Sequence, residues 1–123
     1  MPQDIIADAL NQIMNAKKAR KKEVAIKRYS NFLLNVLDSM KKLGFLDYKK
    51  ESRELIIEIK DINECRAIKP RFNVSVEEIN KYERRFLPAR GFGYILISTS
   101  KGLMTDKEAT EKNLGGSLIA YVY

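Results

Sequence analysis

Apolar residues recur along this 123-residue chain with two periods, and the switches between them mark out its elements. Ile5, Ile6, Ala9, Leu10, Ile13 and Met14 fall at i, i+1, i+4, i+5, i+8 and i+9, one stripe of an amphipathic helix that Asp4 can cap. Phe32, Leu33, Val36, Leu37, Met40 and Leu43 repeat that stripe, with Ser30 placed as N-cap and Gly44 where the helix should end. Between the two, Glu23 to Arg28 alternates, with Val24 and Ile26 on one side, as a half-buried strand does. Phe45 to Lys50 and Glu54 to Lys60 predict two strands joined by the turn Lys50-Glu51-Ser52-Arg53. The first half therefore reads helix, strand, helix and hairpin.

Asp61-Ile62-Asn63-Glu64 breaks the pattern. The boundary expected there divides the chain into an N-terminal α/β lobe over 1–62 and a C-terminal lobe over 63–123. No Gly/Ser linker separates them, so the lobes should pack firmly, with Cys65 a small buried hydrophobe near the junction. Ala67 to Val76 reads as extended, interrupted by Pro70, with Lys69 and Arg71 projecting together from an exposed edge. Glu77 to Phe86 predicts two to three helical turns, Ile79, Tyr82 and Phe86 on one face and Arg84 and Arg85 off it, ended by Pro88. Arg90-Gly91-Phe92-Gly93 turns the chain into a buried strand, Tyr94 to Ile97. Ser98-Thr99-Ser100-Lys101-Gly102 is then expected as a polar loop between that strand and a helix opened by the capping box Thr105-x-x-Glu108. After the turn Asn113-Leu114-Gly115-Gly116, the segment Ser117 to Tyr123 is apolar on both faces and belongs in the middle of a sheet. The fold class expected is α+β: two small, tightly packed lobes, the second a mostly antiparallel sheet with short helices.

Charge changes the picture. Lys and Arg outnumber Asp and Glu by 23 to 16, giving a net +7 and favouring a polyanionic partner such as nucleic acid. A hydrophobic fraction of 45% excludes a disordered chain. Histidine is absent, which removes Ser-His-Asp and Cys-His pairs and imidazole metal ligands, so no enzyme is expected. Cys65 is the only cysteine: no internal disulfide, no cysteine-based metal site, and a reducing cytoplasmic setting are expected. No apolar run approaches the ~18 residues of a membrane span, and Met1-Pro2-Gln3-Asp4 lacks the regions of a signal peptide. No membrane, metal or cofactor is expected.

Several apparent motifs fail on context. Ser98-x-x-Lys101 falls on a strand end and loop, where the lysine cannot lie one helical turn from a nucleophile. Gly91-x-Gly93 precedes a strand instead of following one. Asp106, Glu108 and Glu111 are better explained as helix-favouring charges on a wet face than as metal ligands.

Two stretches carry candidate binding chemistry. On the loop, small hydroxyls can reach phosphate and sugar oxygens, Gly102 lets backbone come close to a ligand, and Lys101 adds charge without bulk. The plain alternative is a turn whose Ser and Thr bond only their own backbone. The run Lys17-Lys18-Ala19-Arg20-Lys21-Lys22 is either a solvated charged face or a phosphate-contacting arm.

The loop and its surroundings resemble a known family. Ser98-Thr99-Ser100-Lys101-Gly102, Met104-Thr105-Asp106-x-Glu108-Ala109, Gly115-Gly116 and Leu118-Ile119-Ala120-Tyr121-Val122-Tyr123 resemble the C-terminal signature of the universal eighth protein of the small ribosomal subunit. Ala7-Asp8-Ala9-Leu10, Asn15-Ala16, Gly44-Phe45, Ile68-Lys69-Pro70-Arg71-Phe72 and Leu87-Pro88-Ala89-Arg90-x-Phe92-Gly93 extend the likeness, the last two looking like its archaeal and eukaryotic branch. The resemblance implies a cytoplasmic ribosomal protein, monomeric outside the ribosome, that binds a stem with an irregular core in the central domain of small-subunit rRNA, beside neighbouring ribosomal proteins. It implies that the Ser-Thr-Ser loop enters a minor groove. Some relatives also bind their own messenger RNA. Arg66 stands where that branch commonly has glycine, and the turn near Ser52 is shorter than usual there, which puts in doubt any contact made through that turn. Resemblance and residue chemistry together make Ser98, Thr99, Ser100, Lys101, Gly102, Gly115, Gly116, Ser117, Lys69, Arg71, Asn15, Lys17, Lys18 and Lys21 the expected RNA contacts. A basic module that binds acidic proteins is the competing expectation.

Overall fold

The computed structural model describes residues 4–69, 71–89 and 91–123. The expected break at Pro70 and the start of the turn at Arg90 lie outside the described residues. Contacts divide the chain into two units, Met1–Cys65 and Arg66–Tyr123.

In the first unit, Asp4 accepts hydrogen bonds from the backbone N–H of Ile6 and Ala7 and opens α1, Ile5–Lys18. Ser30 does the same for Leu33 and opens α2, Asn31–Lys42. Between them lies β1, Glu23–Ile26, two residues shorter than the alternation suggests, and after them the hairpin of β2, Leu46–Glu51, and β3, Glu54–Ile59. The three strands are antiparallel in the order β1-β3-β2. Helix α1 packs on β1 and β3, and α2 on β2. Both helical stripes are core: Leu10, Ile13, Leu33 and Leu37 are fully buried, as are Ile26, Leu55 and Ile57 of the sheet. Each such side chain stabilises the fold by about 1.5–3 kcal/mol relative to exposure. Cys65 is buried too, its backbone N–H directed at the Met14 sulfur, 3.3 Å away.

The remaining strands form a second sheet. Strands β4 (Cys65–Ala67), β6 (Tyr94–Thr99), β7 (Gly102–Thr105) and β8 (Gly116–Val122) lie in the order β4-β8-β6-β7, and β5 (Asn73–Val74) also pairs with β8. As its apolar run requires, β8 is central. A 3-10 turn, Val76–Glu78, leads into α3, Ile79–Phe86, and α4, Asp106–Glu111, follows β7 without a linker. The core of this unit combines Ile95, Ile97, Met104 and Leu118 of the sheet with Ile79 and Ala109 of the helices. Half-buried rings of Phe72, Tyr82, Phe86, Tyr121 and Tyr123 pack against it. The chain is thus α+β with two sheets.

Two expectations are overturned here. The Ser98–Gly102 segment is not a loop between a strand and a helix: β6 continues through Thr99, Ser100 and Lys101 make a two-residue turn, and Gly102 starts a further strand that pairs back on β6. A hairpin closes there because Ile97 and Met104 can share a buried face across it.

Asp106 is the second. Glu108 and Glu111 are exposed as expected, but Asp106 is 0% exposed, and its Oδ1 accepts a hydrogen bond from the Ile95 N–H at 3.1 Å. It ties the start of α4 to β6, an interior strand of the sheet. Replacing it with alanine leaves a buried N–H unpaired, which should cost about 1–3 kcal/mol. Asp106→Asn, which retains an acceptor, should cost less; denaturant midpoints of the two variants measure the difference.

Candidate functional site

The hairpin tip is built by register. Asn73 lies opposite Ser117, Ser117 opposite Ser98, and Ser98 opposite Leu103, one row across β5, β8, β6 and β7. Directly opposed residues of antiparallel strands share a face, so Asn73, Ser117 and Ser98 stand side by side. The Ser117 hydroxyl donates to Asn73 Oδ1 at 2.5 Å. Those of Ser98 and Ser100 have no protein partner among the described residues.

Thr99 belongs to the neighbouring row, on the opposite face. Its hydroxyl accepts from the Lys101 N–H at 3.2 Å and donates to the Gly102 carbonyl at 2.9 Å, bracing the turn from within. The plain reading of a hydroxyl that serves its own backbone therefore holds for Thr99. Ser100, Lys101 and Gly102 are exposed at the tip. Gly102 has φ +115° and nothing within 4 Å of where a Cβ would sit, so it is the backbone conformation and not packing against the protein that favours glycine there.

Gly115 and Gly116 serve the protein's own packing. A Cβ on Gly115 would meet the Val74 carbonyl oxygen at 2.4 Å, and one on Gly116 the Ser98 carbonyl oxygen at 2.2 Å. These glycines draw β8 against β5 and β6 closely enough for the polar row to form. Asn73 is the member of this row that the sequence did not suggest. Only its pairing with Ser117 brings it in.

The structure brings Ser98, Thr99, Ser100, Lys101, Gly102, Gly115, Gly116 and Ser117 together. Lys69 and Arg71 are exposed on the segment between β4 and β5. The remaining expected residues lie in the other unit, around the end of α1. Asn15 and Lys18 are exposed on its last turns, Arg20 takes φ 61° just past the cap, and Lys21 N–H closes back on the Ala16 carbonyl. Lys17 is half-buried and its ammonium donates to the Asn63 carbonyl at 3.2 Å. Lys18, Arg20, Lys21 and Lys22 all face solvent.

A cleft of about 680 Å³ opens elsewhere in the unit that carries the hydroxyl tip, lined by Val76, Asn80, Glu83, Arg84 and Thr110 among others, and none of the expected contacts borders it. Among the described residues no group of three His, Cys, Asp or Glu side chains could hold a metal ion, and no helix is long and apolar enough to cross a membrane. What the tip offers is a row of short neutral donors and acceptors on a braced edge. That chemistry suits recognition of sugar and phosphate oxygens by shape.

The family model described as Ribosomal protein S8 matches residues 4–123. The chain belongs to the ribosomal protein S8 family. It is 44% identical over 129 residues to the small ribosomal subunit protein uS8 of Nanoarchaeum equitans (strain Kin4-M), with 100% of both chains covered. It is 43% identical, again over 129 residues and the whole of both chains, to the uS8 of Archaeoglobus fulgidus. As a member of this family the chain is a structural constituent of the small ribosomal subunit, in the cytoplasmic ribosome, and not an enzyme. The two archaeal relatives agree with the branch suggested by the blocks around Lys69 and Pro88.

Proposed function

We propose that the protein binds a stem with an irregular core in the central domain of small-subunit rRNA and promotes folding of that domain, alongside neighbouring ribosomal proteins and without membrane or cofactor. The observation that carries this reading is the row of exposed Asn73 and half-buried Ser117 and Ser98, ending in the exposed Ser100 and Lys101, in a chain of net charge +7. An A-form RNA minor groove is wide and shallow and displays 2′-hydroxyls, which short hydroxyl and amide side chains match better than long charged ones. Lys69, Arg71, Lys101 and the cations after α1 supply grip through phosphates; the hydroxyl row supplies choice.

The test is a footprint of the purified protein on total small-subunit rRNA, followed by filter binding to the protected fragment and to a regular duplex of equal length. Protection confined to an irregular stem, with tighter binding there than to the regular duplex, is the expected result. Equal affinity for the fragment, the regular duplex and polyglutamate would return the protein to the acidic-partner reading.

The basic run makes a separate prediction. Lys18→Gln or Lys21→Gln, each removing an exposed cation, should flatten the slope of log K against log salt by about 0.7–0.9. Lys17→Gln should flatten it less, because that ammonium already serves the Asn63 carbonyl. An unchanged slope for Lys18 and Lys21 would make the run a solvated surface.

A further inference from the structure

Helix α3 presents Lys81, Arg84 and Arg85 to solvent, and these cations have no part in the contacts assigned above. Two of them are held by rings. The Arg85 guanidinium lies 5.6 Å from the Phe72 ring centroid and 5.5 Å from that of Phe86, and the Lys81 ammonium lies 5.7 Å from the Tyr82 centroid. The rings are themselves stacked, Phe72 on Tyr82 at 5.5 Å and Tyr82 on Phe86 at 6.3 Å. No carboxylate among the described residues lies within salt-bridge distance of Lys81, Arg84 or Arg85. The nearest acid at the start of the helix, Glu78, is turned back onto the backbone N–H and hydroxyl of Ser75, bonds that hold its carboxyl below the usual range, with Lys81 adding a smaller pull.

A cation over a ring is restrained without being neutralised. The aromatic faces limit the rotamers of Arg85 and leave its N–H edge free for a bidentate acceptor, the arrangement that suits phosphate. The position matters as much as the chemistry. Phe72 immediately precedes Asn73 of the hydroxyl row, its carbonyl accepts from the N–H of Leu118 next to Ser117, and Arg71 immediately precedes it. Asn73 and Phe72 point to opposite sides of the β5 edge, so the α3 cations lie just around that edge from the polar row.

We infer that Lys81 and Arg85, held over the Phe72, Tyr82 and Phe86 rings beside Arg71, form a second phosphate-binding patch that takes the backbone of an RNA strand wrapping the β5 edge. The patch adds affinity and not sequence choice. This inference rests on the RNA-binding reading of the hydroxyl row, and the experiment separates the two.

Lys81→Gln, Arg85→Gln and the double variant are compared with wild type for binding to the rRNA fragment that wild type protects, and to a regular duplex, across a salt series. Each substitution should flatten the salt slope by about 0.7–0.9 and weaken binding about sixfold at 0.1 M salt, on both RNAs alike. The ratio between the two RNAs should not change. Arg85→Lys should retain the slope. Should Arg85→Gln lower the melting temperature, Lys81→Gln, whose ring contact is single, carries the decision alone. A double variant with wild-type slope and affinity overturns the inference, and so does one that loses only binding to polyglutamate. Failure of the underlying reading looks different: wild type itself would show no preference for the protected fragment.

Discussion

Gly116→Ala is expected to lower the melting temperature by roughly 10 °C or more and to remove RNA binding with it. The added Cβ would stand 2.2 Å from the Ser98 carbonyl oxygen and 2.9 Å from its carbon. Neither atom is the end of a flexible side chain; both belong to the backbone of β6, which is paired on its other side to β7. Relief therefore requires β8 and β6 to part at the register pair Thr99 and Gly116, or the whole hairpin to tilt. Overpacking a well-fitted interior costs about 1–3 kcal/mol when side chains can adjust, and more where backbone must move. At roughly 3–5 °C per kcal/mol for a chain of this size, a ten-degree fall corresponds to the upper end of that range. Gly102→Ala is the control: nothing lies within 4 Å of its Cβ position, so its cost is the backbone penalty at φ +115°, about 1–2 kcal/mol. Thermal melts followed by circular dichroism separate the two. A Gly116 variant melting within two degrees of wild type would show that β8 has room against β6, and the tight polar row would lose its physical basis.

The contrast between these glycines also shows where sequence reasoning ends. Stripes such as Ile6, Leu10 and Ile13, or Leu33, Val36 and Leu37, are legible because helical period and burial coincide, and caps such as Asp4 and Ser30 are legible because the chemistry of a helix start is local. The central position of β8 was legible for a similar reason: a strand apolar on both faces needs neighbours. Strand β7 was not. Its four residues, Gly-Leu-Met-Thr, are too few to show alternation, and the side-chain contact that makes them a strand, Met104 beside Ile97, exists only once the hairpin has closed. Asp106 was misplaced on a wet face because its partner, the Ile95 N–H, is eleven residues away in sequence and belongs to another element. The site followed the same division. Ser98, Ser100 and Lys101 stood out as residue types, whereas Asn73 entered through register with Ser117, and the faces taken by Ser98 and Thr99 follow from a strand that the sequence pattern had stopped at Ile97.

That division of faces decides how the hydroxyls should respond to removal. Ser98→Ala and Ser100→Ala each delete a hydroxyl with no protein partner among the described residues, so their effect should fall on RNA affinity alone: about 1 kcal/mol, or roughly fivefold, for each bond lost, with an unchanged melting temperature. Thr99→Ala should act differently, because its hydroxyl holds the Lys101 N–H and the Gly102 carbonyl. It should lower stability by about 1 kcal/mol and weaken binding indirectly by loosening the turn, and Thr99→Ser should restore both. Combined, the triple alanine variant should bind the protected rRNA fragment about 30- to 100-fold more weakly than wild type, while the salt slope, set by the cations, stays the same. This pairing of a large affinity loss with an unmoved slope is what distinguishes choice by hydroxyls from grip by charge. A triple variant that binds as tightly as wild type would leave the hydroxyl row with no recognition role, and one whose slope flattens as affinity falls would show that the tip acts mainly by placing Lys101 against phosphate.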